Sequence, residues 1–479
     1  MARSIRMLAP LLMALLSLAT PSSAQDREAL DGFVNCEDAN SKATLAGSQC
    51  TRLSVPLSYS EPEKGKIELF VRKFPARGNS KGQLWLIAGG PGESGASLYP
   101  FLETIREAAP DFDLLIPDHR GTGFSTRLCP NEESPSSVGG SALAGEEWNI
   151  CFAFLNAEPE RTRAFTISNA AHDLNQVMSR LGTGGRRYLY GVSYGTQLVL
   201  RMLAIDAPEN LDGVILDSLV PLESSSQLDL SHRSAATDGV GRQVLRDCDA
   251  KPQCSKYFPE GAERAVRNVL ERDDIEAMLG PNPKYRLGAL LDFPETRALL
   301  PNVLAGLQAG DPAWFEYASR RLARLGSLFE SYPQGGSSIP LVSLISRSEN
   351  NARPDLTAEM VEQESQRYLF ASPLPSLLLA SGVPIYEPDA SFGTSPGKIP
   401  STIVLQGTLD PKTPHSGAQE HIAVLSTAGD IALVSVDGAT HFIVMTAPDE
   451  FIRSVRAFIE HGTGAARATF ASAPGSSEE

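Results

Sequence analysis

After Ala19 the sequence holds no apolar run long enough to span a bilayer, which excludes a helical integral membrane protein. It has no C-x-x-C pair and no cluster of histidines, so a thiolate or imidazole metal site has nothing to be built from. Basic residues are in deficit. The 42 Lys and Arg face 57 Asp and Glu, and the net charge of −15 disfavours nucleic acid and anionic lipid as partners. No internal repeat marks a solenoid or propeller.

What is present begins with a leader. Arg3 and Arg6 precede the apolar run from Met7 to Ala19, and Ser22-Ser23-Ala24 supplies small residues for cleavage. The arginines are not adjacent and no cysteine follows for lipidation, so residues 1–24 read as a Sec-type signal peptide. The expected location is outside the cytoplasm, periplasmic or secreted. Removing Arg3 and Arg6 with the leader takes the net charge from −15 to −17.

All six cysteines, Cys36, Cys50, Cys129, Cys151, Cys248 and Cys254, follow the leader. An even count in an exported chain points to three disulfides rather than metal ligation. Fifteen pairings are formally open. Sequence neighbours are the simplest choice: 36 with 50, 129 with 151, and 248 with 254.

Short β-rich runs alternate with helical patterns: "IELFVRKF" (67–74), "LWLIAGG" (84–90), "DLLIPD" (113–118), "YLYGVS" (188–193), "GVILDS" (213–218), "TIVLQG" (402–407) and "ALVSVDG" (432–438). Runs apolar on both faces with helices between them imply a mostly parallel sheet covered on both sides. The first strands lack intervening helices and suggest an antiparallel start. The alternation stops after Pro221, and from about Leu222 to Pro400 the text is helical and loop-like. The expected organisation is a core over 25–221 and 401–462, an inserted helical cap over 222–400, and a small, polar, disordered tail over 463–479.

In "YLYGVSYGTQLVLRM" (188–202) a buried-strand pattern passes into an amphipathic helix with Gly191-Val192-Ser193-Tyr194-Gly195 between them. So tight a turn strains the serine and lifts its hydroxyl clear of the sheet, and the glycines avoid collision with neighbouring elements. A serine nucleophile needs a histidine base and an acid, which follow it in the order Ser, Asp/Glu, His on the α/β-hydrolase fold. His119 and His172 precede the serine, and His232 precedes any acid after the returning strand. His421 reads as an exposed helix residue and His461 as a helix C-terminus. His441 follows the strand "ALVSVDG" by two residues and is the expected base. Asp410, closing "IVLQGTLDPKTP", is favoured as acid over Asp217 one strand earlier, and Asp437 reads as turn chemistry. The oxyanion hole is expected from the N–H of Tyr194 and from Gly90 in "GGPGESG". That loop lacks the Lys-Ser/Thr of a phosphate cradle, and no cofactor is expected. In "DHRGTGFS" (118–125), Asp118 and Arg120 are expected to pair and brace the loops.

These residues resemble the secreted tripeptidyl and prolyl aminopeptidases of the α/β-hydrolase fold. The matching segments are "VPLSYSEP" with "IELFVRKFPA", then "GGPGESG", "PDHRGTGFS", "GVSYGT", "VILDSLVP", "GTLDPKTP" and "GATHF", in that order over roughly residues 50 to 460. The resemblance implies a Ser193–Asp410–His441 triad and a cap that selects peptides with free N-termini. In proline iminopeptidase relatives acidic cap residues bind the substrate amine, and the nearest counterpart is Glu349 in "LISRSENNARP". Relatives often carry Cys-x-Glu there; this chain has Arg347 two residues before the glutamate, and the cap disulfide of the family is absent. Glu316 and Glu330 are the next cap acids to consider. The same triad would serve a carboxylesterase, since fold and triad do not choose the acyl substrate. An intact triad argues against a non-catalytic binding module, and serine at the elbow argues against epoxide hydrolase or dehalogenase chemistry.

Overall fold

The computed structural model describes residues 32–140, 142–379 and 382–465. Nine strands, β1 (Val34–Asn35), β2 (Gln49–Pro56), β3 (Lys66–Phe74), β4 (Gly82–Ile87), β5 (Phe112–Asp118), β6 (Arg186–Val192), β7 (Gly213–Asp217), β8 (Thr402–Gly407) and β9 (Ile431–Val436), form one sheet in the order β1-β2-β3-β5-β4-β6-β7-β8-β9. The pairs from β1 through β3 to β5 are antiparallel, and every pair from β5 onward is parallel.

The physical reason lies in the strand sequences. Every residue of β4, β7 and β8 is buried, as a strand needs when helices cover both faces. On one face, Trp85, Leu189, Val214 and Val404 pack with the helices Ile167–Leu181, Tyr194–Ile205 and His415–Leu425. On the other, Leu84, Leu86, Ile215 and Ile403 pack with Leu102–Ala108 and Pro448–His461. Strands β1 and β2 were not expected. In β2 only Thr51, Leu53 and Val55 point inward while Arg52 and Ser54 stay exposed, a half-buried alternation weaker than the continuous runs.

Between β7 and β8 the described residues contain helices and no strand. Leu245, Val266, Leu290, Val303 and Phe370 make a separate apolar cluster there, so this segment buries a core of its own. The helix Ile339–Glu349 ties it to the sheet, because Leu341, Leu344 and Ile345 belong to the cluster on the first face.

Disulfides join Cys36 to Cys50, Cys129 to Cys151 and Cys248 to Cys254, the three neighbour pairs. No cysteine among the described residues is free. No helix among them is long and apolar enough to cross a membrane. The leader over 1–24 and the tail from 466 onward lie outside the described residues.

Candidate active site

Strand order reverses direction around β4: the chain passes from β4 outward to β5 and returns on the other side as β6. The crevice at the carboxyl ends of strands beside such a switch point is where α/β sheets bind ligands. The loop after β4 and the turn after β6 meet there.

The turn after β6 carries Ser193 at φ 53°, ψ −124°, a conformation that only a surrounding structure can impose on a side-chain-bearing residue. Two glycines make it possible. A Cβ at Gly195 would lie 2.6 Å from the Ile87 carbonyl oxygen of β4, and one at Gly191 would lie 2.6 Å from the Gly195 carbonyl. The helix can therefore start against the end of the neighbouring strand. The Ser193 N–H donates to the Asp217 carbonyl (3.0 Å), and the Ser193 carbonyl accepts from the Thr196 hydroxyl (2.7 Å). Tyr194 opens the helix Tyr194–Ile205, so its N–H belongs to the first turn, which has no acceptor within the helix.

Asp410 is fully buried at the end of β8, and its Oδ2 lies 2.8 Å from His441 Nδ1. That contact makes Nδ1 the protonated nitrogen and leaves Nε2 free to accept. The carboxylate also accepts from the Lys412 and Thr413 N–H groups (2.7 and 2.9 Å), the Thr413 hydroxyl (2.7 Å) and the Gln406 amide (3.2 Å). Burial alone would raise its pKa, but the His441 ring and the Thr413 donors outweigh burial, and the net shift is downward.

Asp217 has a different position. Its carboxylate accepts from the N–H groups of Ile443 (2.8 Å) and Val444 (3.1 Å), and from the hydroxyls of Tyr190 and Ser218 (both 2.9 Å). The Ser218 hydroxyl in turn receives the Phe442 N–H at 2.7 Å. Asp217 thus fastens the turn just after His441 to the end of β7, and Phe442 is held at φ 69° within that turn. Asp437 bonds the Thr408 hydroxyl, in keeping with a turn role.

Ser193 and His441 line one cleft of about 550 Å³. They are not joined by a hydrogen bond, which is common for a catalytic pair before substrate tightens the site. Gly89 and Gly90 form part of the same wall, and Gly90 adopts φ 113°, which needs glycine. Phe293, Leu322, Phe329 and Val342 give the cleft apolar sides.

Three expectations are corrected by packing. Glu349 does not line this cleft. It is buried at the end of its helix, where one oxygen accepts from Arg201 (2.7 Å) and the other from the Tyr386 hydroxyl (2.6 Å). Arg201 also pairs with Glu223 at 2.7 Å, so Glu349 is committed to an ion-pair network outside this cleft. Arg120 does not pair with Asp118. It forks onto Asp173 (2.6 and 2.7 Å) and onto the carbonyls of Leu57 and Ala164, while Asp118 accepts from the N–H groups of Gly95 (2.7 Å) and Phe124 (2.8 Å). The bracing role stands with different partners. His421 is buried, not exposed, and bonds the Val220 carbonyl at 2.8 Å.

Of the other cap acids, Glu330 lines the cleft, and Glu316 sits exposed beside Arg320. Glu93, Arg233, Asp292 and Lys412 also line it, and none was singled out from the sequence. Two of them were visible inside quoted segments, Glu93 in "GGPGESG" and Lys412 in "GTLDPKTP". Among the described residues no group of His, Cys, Asp and Glu is arranged to hold a metal ion.

A parallel sheet sandwiched by helices, a strained serine on a strand-to-helix turn, and an aspartate–histidine pair in the loops after the last two strands, β8 and β9, define an α/β-hydrolase fold. The family described as the alpha/beta hydrolase fold matches residues 84–257. The chain has the α/β-hydrolase fold, and the proteins it resembles include serine peptidases. It is 24% identical to serine protease Hip1 of Mycobacterium tuberculosis strain H37Rv, over 93% of this chain and 91% of that protein. It is 31% identical to the tripeptidyl aminopeptidase of Streptomyces coelicolor, over 36% of this chain and 35% of that one. Among solved structures, proline iminopeptidase of Mycobacterium smegmatis aligns with TM-score 0.42 and 15% identity, over 87% of this chain and all of that one (100%).

Proposed function

We propose that the protein is an exported serine exopeptidase of the tripeptidyl- or prolyl-aminopeptidase type, acting on peptides with free N-termini. The observation that carries this reading is the Asp410–His441 hydrogen bond facing a cleft that also holds the strained Ser193. In the proposed reaction the Ser193 hydroxyl attacks the scissile carbonyl as His441 Nε2 takes its proton, and Asp410 holds the tautomer and stabilises the imidazolium. The N–H groups of Gly90 and Tyr194 receive the charge that develops on the carbonyl oxygen. His441 then returns the proton to the leaving amine. Water, activated by the same histidine, hydrolyses the acyl-enzyme and regenerates the serine.

The resemblance of the ordered segments to aminopeptidases, and the peptidase names of the relatives, support peptide over ester as the substrate. Three disulfides suit an oxidising compartment and support export. The experiment is a panel of peptides, free and N-acetylated, assayed beside short neutral esters. Free peptides cleaved from the N-terminus support the exopeptidase reading. Esters hydrolysed with no peptide cleaved would establish an esterase instead.

A further inference from the structure

The cleft around Ser193 contains charges of both signs, and some are already matched. Lys412 lies 3.4 Å from Asp292, and His441 from Asp410 at 2.8 Å. Two are not. Glu93, three residues after Gly90 on the loop that follows β4, makes no ion pair within 4.0 Å with any described residue. Arg233, at the start of the cap helix Arg233–Asp249, likewise has no ion pair, and its guanidinium donates to no described acceptor. Both are drawn into water-poor surroundings. Burial pushes the Glu93 carboxyl up, with Lys412 and His441 pulling the other way, and burial pushes Arg233 down against Asp410, Asp292 and Asp229. A third polar group in this cleft, the Ser346 hydroxyl, is buried without a partner. Unmatched ions in a desolvated cleft are costly in the empty protein and ready to bind opposite charge.

Their places relative to the nucleophile differ. A Cβ at Gly89 would lie 3.2 Å from Ser193 Cβ and 3.5 Å from Glu93 Oε2, so Glu93 stands beside the oxyanion loop. Arg233 enters the same cleft from the start of the helix Arg233–Asp249, on the inserted segment rather than on the oxyanion loop. We propose that Glu93 and Arg233 are specificity residues for a short zwitterionic peptide: Glu93 binds a cationic nitrogen on the acyl side, and Arg233 binds the carboxylate of the leaving fragment. This rests on the peptidase reading of the Ser193 site and adds to it the charge at both ends of the substrate.

The test uses the full-length enzyme and four alanine oligopeptides of one length: free, N-acetylated, C-amidated and doubly blocked. A neutral ester is the internal reference for each variant. Charge-assisted hydrogen bonds make each terminus worth about 10- to 100-fold in kcat/KM. The wild type should prefer the free peptide over each singly blocked one by that factor. Glu93→Gln should collapse the free-to-acetylated ratio toward one and keep the free-to-amidated ratio. Arg233→Met should do the reverse. An N-acetylated lysyl peptide cleaved like the free one would identify the cation as a side chain rather than the terminus, still held by Glu93. Ratios unchanged in both variants, or both ratios collapsing together in each, would overturn the proposal. A wild type that cleaves doubly blocked peptides as fast as free ones leaves the peptidase reading standing and removes this one. A wild type that hydrolyses only the ester removes both.

Discussion

Replacing Asp410 by asparagine tests the site at the point where geometry is most explicit. The carboxylate accepts five hydrogen bonds, from two backbone N–H groups, the Thr413 hydroxyl, the Gln406 amide and His441 Nδ1. An asparagine keeps one acceptor oxygen. The two N–H groups of Lys412 and Thr413 both address Oδ1 and will claim it, which turns the amide nitrogen toward the histidine. A ring facing an N–H donor must present Nδ1 unprotonated and carry its hydrogen on Nε2. In that tautomer it cannot take the serine proton. Wrong-tautomer substitutions of this kind cost about 10⁴ in kcat, or roughly 5.5 kcal/mol of barrier. Asp217→Asn is the comparison. Asp217 holds the Ile443 and Val444 N–H groups and does not touch the ring, so its loss should appear mainly in stability, at about 1–3 kcal/mol for the unsatisfied buried groups. The assay pairs steady-state kcat on a chromogenic ester with thermal melting for each variant. The expected result is a crossed pattern: Asp410→Asn is catalytically crippled, and Asp217→Asn has the larger loss of kcat neither in absolute terms nor per degree of Tm lost. A kcat within tenfold of wild type for Asp410→Asn, or a greater kcat loss for Asp217→Asn, would refute the assignment of the acid.

Ser193→Ala should lower turnover by about 10⁴ to 10⁶ while the far-ultraviolet circular dichroism stays native. Glu349→Gln should reduce Tm, because breaking a buried ion pair costs about 3–5 kcal/mol; a variant with wild-type Tm and altered peptide selection would return Glu349 to the substrate. His119, buried with Nε2 at 2.7 Å from the Pro91 carbonyl, has its pKa lowered by burial from 6.5 to about 4. The unfolded chain then binds a proton that the native state refuses between those values, so stability falls as pH drops from 6.5 to 4, by about 3 kcal/mol from this residue. Denaturant titrations of wild type and His119→Gln should show the wild type losing that much more over this window; parallel curves would contradict it. Loss of the 129–151 disulfide, which closes a separation of 22 residues, should destabilise by about 1 kcal/mol more than loss of 248–254, which closes 6, if chain entropy dominates. Cys-to-Ala pairs compared by chemical unfolding decide it.

Several features were determined within a few residues of sequence and could be read there. The continuous apolar runs of β4, β7 and β8 require a sheet covered on both faces, whatever else the chain does. The glycines around Ser193 announce a turn too tight for side chains, and Gly191 and Gly195 do pack against carbonyls at 2.6 Å. Asp410 and His441 each lie in the loop after a strand, in the order the elbow requires, so parallel packing of β8 on β9 brings them together. The choice of partners among distant side chains was decided only by the tertiary structure. Glu349 and Arg201 are separated by 148 positions, Arg120 and Asp173 by 53, and nothing local to either pair signals the contact. A helical stretch such as "AQEHIAVL" does not show that Val220 will close over His421. Glu93 and Arg233 were silent for the same reason: a charged residue in a loop and another at a helix start look solvated in sequence, and only packing places both in one cleft. Burial converts an ordinary surface charge into a site, and burial belongs to the whole chain rather than to any segment of it.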